Sequence, residues 1–247
     1  MKKTLLREVI EWIQVIAIAF VVAIFINNVI ITNSFIPTPS METNLPVGSR
    51  LFGFRLTYKF TKPKRGDVVI FDYGFECKKC KEMYQKNDDQ KCPRCGTESK
   101  GSKKVHFIKR VIGLPGEHVE VKQDYSIDQE LFRDTRLADA NAKVPCGHVY
   151  INGDRLDEDY LNEPMIVGMV GLRYGVQDRY MNFREVDVVV PEDTYFLLGD
   201  NRNNSEDARF WPNQFISMKD IEAKAYLIYW PFNRFGIIKG GEYGKEE

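Results

Sequence analysis

An excess of charge of either sign is missing from this chain: across 247 residues, 35 Lys and Arg balance 35 Asp and Glu. That balance leaves no electrostatic footprint for nucleic acid, so no nucleic-acid partner is expected. Histidine is scarce, with only His106, His118 and His148, and no GxSxG or HExxH motif is present. A serine–histidine–carboxylate triad therefore has no specific support, and any nucleophile needs another base. Cysteine is sparse too, five in all, too few and too clustered for a disulfide-stapled small fold. Helical periodicity is lacking beyond the N-terminus, and there are no internal repeats or long low-complexity tracts.

What is present is packable. Hydrophobic residues at 43% and aromatics at 13% argue for a folded protein rather than disorder. The length suits one catalytic domain with appendages.

From Trp12 to Phe35 runs a stretch of 24 residues without a charge. About 20 apolar residues in a helix cross the ~30 Å hydrocarbon layer, so a membrane anchor is expected over residues 1–35. Lys2, Lys3 and Arg7 precede the run and no basic residue follows until Arg50. The positive-inside rule then leaves the N-terminus in the cytoplasm and the remaining chain outside. The run exceeds a signal-peptide core, and Ile36-Pro37-Thr38-Pro39 is a poor cleavage site, so an uncleaved anchor is expected. Ser40 lies nine residues past Ile31, and extended chain covers at most ~3.5 Å per residue. It must work close to the membrane surface.

Beyond Ser40 the chain reads as strands and turns. Strands are expected in Arg50–Phe60, Asp67–Tyr73, Val105–Gly113, Val186–Val190, Tyr195–Leu198 and Ala223–Trp230. Lys62–Gly66 has turn chemistry, and Pro115-Gly116 sits as a type II turn requires, with Val119–Val121 continuing a hairpin. Val149–Asp154 reads as a strand entering a tight turn. Residues 72–104, 122–147 and 163–184 read as insertions. The soluble part, 36–247, is expected to be mainly β.

A serine needs a nearby base, and lysine serves if its ammonium is easily deprotonated. Its pKa of ~10.4 must fall by about 3 units, roughly 4 kcal/mol, which desolvation can supply. In the segment Phe107–Ile112, strand alternation sets Lys109 on one face between Phe107 and Val111. A solvated lysine that snorkels satisfies the same periodicity.

These segments together resemble the type I signal peptidase family. The matching blocks run in order: the anchor, Ile36–Met41, Pro63–Phe71, Ile108–Glu117, Val149–Gly153 and Gly199–Arg209. The resemblance implies an antiparallel β catalytic domain of the signal-peptidase, β-clip-like type. It implies Ser40 as nucleophile, Lys109 as general base, and Thr38 as an oxyanion donor beside the Ser40 N–H. Ser205 then orients the lysine amine, and Asp200, Asp207 and Arg209 support the site. No catalytic cofactor is implied. The substrates would be exported preproteins with small residues at −1 and −3, cut at the surface of the lipid bilayer. The chain departs from the family pattern at Pro39, Glu42-Thr43-Asn44, Ala208 and Pro212. A second reading is a catalytically lapsed, membrane-tethered binding module; intact Ser40, Lys109 and Ser205 oppose it. A self-cleaving repressor with the same dyad is set aside, because no helix-turn-helix region precedes Ser40.

The resemblance does not extend to Cys77-Lys78-Lys79-Cys80 and Cys92-Pro93-Arg94-Cys95, two CxxC pairs separated by eleven residues. Their spacing is that of a zinc ribbon, four thiolates closing a structural site. Outside a cell, paired disulfides are the alternative. Lys78, Lys79, Lys81, Lys86 and Lys91 give the insertion a basic surface, either simply solvated or turned to an anionic partner. Cys146 reads as a small buried or loop residue.

Overall fold

A computed structural model describes residues 2–42, 44–128, 143–174 and 177–241. The chain begins with helix α1 (Lys2–Phe25), which passes through a π-helical turn at Ile26–Ile30. The stretch Arg7–Ile30 is long and apolar enough to cross a membrane, and none of it is buried in the protein. The uncharged run does not stay helical to its end. Ile31–Phe35 forms strand β1, paired with β2 (Arg50–Phe54), so the sheet starts five residues before the expected boundary at 36.

The remaining elements follow in order: α2 (Thr57–Phe60), β3 (Val68–Glu76), β4 (Met83–Gln85), β5 (Lys103–Gly113), β6 (His118–Asp128), β7 (Lys143–Ile151), β8 (Asp154–Arg155), β9 (Met165–Ile166), β10 (Gly168–Tyr174), β11 (Gln177–Phe183), β12 (Val186–Val189), β13 (Thr194–Leu198), β14 (Phe215–Ser217), β15 (Ile221–Trp230) and β16 (Gly236–Ile237). All pairings are antiparallel. The main sheet runs β1-β2-β15-β3-β5-β13-β14, with β16 on β15 and β4 on β3. A second sheet runs β12-β6-β7-β8, with β9 on β7, while β10 and β11 form a separate hairpin. The mainly β expectation holds.

Several local expectations need correcting. The type II turn at Leu114–Glu117 is present: Glu117 N donates to Leu114 O over 3.1 Å, and Gly116 has φ +82°, where only glycine is unstrained. Yet β5 and β6 do not pair as a hairpin. The turn carries the chain from one sheet to the other, because Val119 and Val121 are covered by the core shared between sheets. Arg50–Phe60 is a strand only to Phe54 and then a helical turn. Residues 122–147 are not an irregular insertion at their ends, since β6 and β7 stay paired out to Asp128 and Lys143; residues 129–142 lie outside the described residues. Asn152-Gly153, with φ of 52° and 91°, makes the expected tight turn between β7 and β8.

Two apolar clusters sandwich the main sheet. The larger includes Val69, Phe71, Val111, Phe196, Leu198 and Trp211, with Phe107 packed on it. The smaller holds Ile36, Met41, Leu45, Leu51, Val68 and Ile70, with Ile108 against it. Strand β5 is therefore covered on both faces over its second half, from Lys109 to Gly113. That double coverage is what removes water from Lys109.

Candidate active site

Ser40 is held by its neighbours. Pro39 opens a single 3-10 turn, Pro39–Met41, closed by Glu42 N donating to Pro39 O at 3.0 Å; proline presets the φ that such a turn needs. Met41 is 1% exposed and anchors the turn in the smaller core. Burial of such a side chain is worth about 1.5–3 kcal/mol, enough to fix the half-buried Ser40 just outside. The Ser40 carbonyl accepts the N–H of Asn201 at 3.1 Å, tying the turn to the distant polar loop.

Lys109 arrives from β5, opposite Val69 on β3. Its Nζ lies 2.6 Å from Ser40 Oγ, donating to the hydroxyl oxygen; once neutral, the same contact can run from O–H to amine. The side chain is 4% exposed, with Nζ 5.8 Å from the centre of the Phe107 ring. Burial pushes the Lys109 pKa down to about 8, against the pull of Asp207 and with help from Arg209.

The polar loop leaves β13 at Leu198, which pairs with Arg110 next to Lys109. Asp207 and Arg209 form a buried ion pair: Arg209 Nε donates to Oδ1 at 2.8 Å and Nη2 to Oδ2 at 2.9 Å. Gly199 N adds a bond to Asp207 Oδ2 at 3.1 Å. Burial works to raise the Asp207 pKa, but Arg209 outweighs it and holds the carboxyl below its usual range. Asp200 stands apart from this pair, clasped by Arg110 through Nε–Oδ1 at 2.7 Å and Nη2–Oδ2 at 2.6 Å. Asn44 donates to the same carboxylate at 2.8 Å, so a departure from the family pattern has a structural use. Ala208 is fully buried in the larger core, where a methyl costs no hydrogen bond. Thr43 lies outside the described residues.

Thr38 Oγ1 stands 3.5 Å from Ser40 Oγ. Ser205 is brought to the site, but no hydrogen bond joins it to Lys109. Its buried Oγ has no partner among the described residues. Gly199 fits against it: a Cβ there would stand 2.2 Å from Ser205 Oγ and 2.5 Å from Ser40 O. Sequence reasoning missed Gly199, Asn44, Arg110, and Arg202 with its partner Glu158. Arg110 was visible beside Lys109, yet strand alternation alone gave no reason to expect a buried guanidinium.

This arrangement supplies a hydroxyl in contact with a desolvated amine, a neighbouring hydroxyl and a rigid charged scaffold. A family model described as "Signal peptidase, peptidase S26" matches residues 9–230. The chain belongs to the signal peptidase S26 family. A probable signal peptidase I-2 from Synechocystis sp. is 30% identical over 89% of this chain and 72% of its own. A signal peptidase I from Leptolyngbya laminosa is 30% identical over 92% of this chain and 83% of its own. A signal peptidase IB from Staphylococcus aureus is 29% identical over 93% of each. A hydrolytic function of the signal-peptidase type follows for this member of the family.

The four cysteines of the insertion also converge. Cys77, Cys80, Cys92 and Cys95 are free thiols whose sulfurs all lie within 4.8 Å of one another. Cys77–Cys95 and Cys80–Cys92 are each 3.5 Å apart, near the ~3.8 Å edge of a tetrahedron with zinc–sulfur bonds of ~2.3 Å. The cluster can hold a structural metal. Cys146 is fully buried in a small cluster with Val144 and Ile166, and burial pushes its thiol up to about 11. His106 is engaged at the surface with Glu222, 2.9 Å away.

Proposed function

We propose that this signal peptidase cuts N-terminal signal peptides from exported preproteins through a Ser40–Lys109 dyad. The 2.6 Å contact between Lys109 Nζ and Ser40 Oγ carries the reading. Neutral Lys109 takes the Ser40 proton as Oγ attacks the scissile carbonyl. The oxyanion forms beside the Thr38 hydroxyl and the Ser40 N–H, each such donor being worth about 3–4 kcal/mol of barrier. The Lys109 ammonium gives its proton to the leaving amine, and a Ser40 ester remains. That amine is the new N-terminus of the mature protein, so the ester holds the signal peptide. Lys109 then draws a proton from water, which attacks the ester, and passes it to Ser40 Oγ as the signal peptide leaves. Ser205, buried and without a partner among the described residues, is the acceptor in reserve for the extra N–H that the ammonium carries.

Arg7–Ile30 spans the bilayer with the N-terminus in the cytoplasm, and the domain from the start of the sheet lies outside. The substrate's apolar segment sits in the same bilayer, delivering small −1 and −3 residues to Ser40. Zinc is the metal that suits the four thiols, in a structural role with no open position for chemistry.

The deciding experiment follows cleavage of a preprotein with an Ala-x-Ala site against pH, for wild type and Lys109→Met. The expected outcome is wild-type cleavage rising with a midpoint near 8 and none by the variant. Unchanged cleavage in the variant would mean that another group is the base.

A further inference from the structure

The four-cysteine insertion touches the catalytic domain at the place where the Asp207–Trp211 segment ends. Its two CxxC turns repeat one backbone pattern. Lys81 N donates to Cys77 O at 3.0 Å, and Gly96 N to Cys92 O at 2.8 Å. Cys77 N bonds Glu82 O, and Cys92 N bonds Thr97 O, both at 2.8 Å. The residue after each pair, Lys81 or Gly96, has positive φ, 61° and 69°. Two like turns facing each other, four unpaired thiols between them, form a built tetrahedral thiolate site for a soft divalent ion.

Between those turns β4 returns to pair with β3, and its last residue reaches the catalytic domain. Gln85 Nε2 donates to Asn213 O at 2.9 Å, and Asn213 N donates to Gln85 Oε1 at 2.9 Å. The next residue, Lys86, bridges Asp72 at 2.9 Å and Asp220 at 2.5 Å. Asp72 is buried, and Lys104 also reaches it, 3.5 Å away at the insertion end of β5. Two residues before Asn213, Trp211 packs among Phe71, Tyr73 and Phe107. Phe107 in turn faces Lys109. The insertion thus grips both ends of the structure that surrounds the dyad: the strands β3 and β5, and the loop carrying Asp207 and Arg209.

We propose that zinc bound by Cys77, Cys80, Cys92 and Cys95 braces the active site, locking Gln85 onto Asn213 so that the Asp207–Trp211 segment stays seated beside Lys109. Gln85 is a positioning residue in this scheme. The effect on turnover rests on the Ser40–Lys109 reading; the effect on loop order does not.

The test uses the full chain in detergent micelles, as isolated, after zinc removal by chelation, and as Gln85→Ala. Zinc content is counted, hydrogen exchange is followed at the Asn213 amide, and kcat and KM are measured on a preprotein. Expected are one zinc per chain, and Asn213 exchange at least about fivefold faster without zinc or without Gln85, the loss of one net hydrogen bond. Amides of Val149–Ile151 should be unaffected, and kcat should fall with KM held. Returning zinc should restore chelated wild type but not Gln85→Ala. Unchanged Asn213 exchange on zinc removal would overturn the brace, as would thiols that retain no zinc. Protein that holds zinc and shows the exchange change yet cleaves nothing would sink the dyad and leave the brace standing.

Discussion

Replacing Arg209 with glutamine should move the pH dependence of cleavage to the alkaline side. In the native site both Asp207 oxygens are taken, by the Arg209 guanidinium and the Gly199 N–H. Asp207 still pulls the lysine upward and Arg209 offsets part of that pull, but burial dominates, lowering the lysine from 10.5 to about 8. That drop amounts to about 3 kcal/mol against the ammonium. Without Arg209 the carboxylate is uncompensated in a water-poor site. Since Asp207 already pulls on Lys109 in the native site, the gain is about 1–2 units of the roughly 1–3 an opposite charge can give. A midpoint of about 9–10 follows, and the neutral fraction at pH 8 falls from about half to a tenth or less. The value of kcat/KM at pH 8 should drop about 5- to 50-fold and recover towards pH 10. Stability carries the same signature. With the native Lys109 pKa below its unfolded value near 10.4, the unfolded chain binds more protons between about 8 and 10.4, so this group makes stability rise with pH across that window. In Arg209→Gln the rise should shrink to the narrower window between the new midpoint and about 10.4. Profiles of kcat/KM from pH 6 to 10.5, beside thermal melts at each pH, measure both effects. A midpoint that stays near 8 or moves to acid would refute the reasoning.

Three further outcomes are expected. Thr38→Val should lower kcat by about 10²–10³ with KM little changed, since a lost oxyanion donor acts on the transition state; Thr38→Ser should restore most of the rate, which steady-state kinetics would read. Gly199→Ala puts a methyl within 2.2 Å of Ser205 Oγ and 2.5 Å of Ser40 O, so denaturant titration should show about 1–3 kcal/mol of lost stability, with slower turnover. Arg110→Met strands the buried Asp200 carboxylate and should cost about 3–5 kcal/mol in the same titration, whereas Arg110→Met with Asp200→Leu should cost less, because no charge is left unpaired.

Local signals were legible wherever a residue's own chemistry dictates its conformation. The charge-free run forced a helix that can cross a membrane, Pro115-Gly116 and Asn152-Gly153 forced turns, and period-two apolar stretches became strands. The ordered blocks around Ser40, Lys109 and Gly199–Arg209 named the family before any fold was known. The errors fell where pairing is non-local. Nothing in Leu114–Val121 says that β6 joins the other sheet, since a type II turn is the same local object either way. Ile31–Phe35 is a similar case: it is apolar enough for a bilayer, and only its pairing with β2 makes it a strand.

The sequence by itself therefore determined the kind of protein, the anchor, the mainly β body and the residue types available for catalysis and metal binding. Tertiary structure decided which of them meet. Alternation along β5 could not tell a snorkelling Lys109 from a buried one; cores on both faces of that strand decided it. Spacing within Gly199–Arg209 could not pair Asp207 with Arg209 and Asp200 with Arg110. Nor could two CxxC turns reveal their grip on Asn213, 128 residues from Gln85 along the chain. Desolvation and ion pairing depend on what surrounds a group in space, and only the folded chain supplies those neighbours.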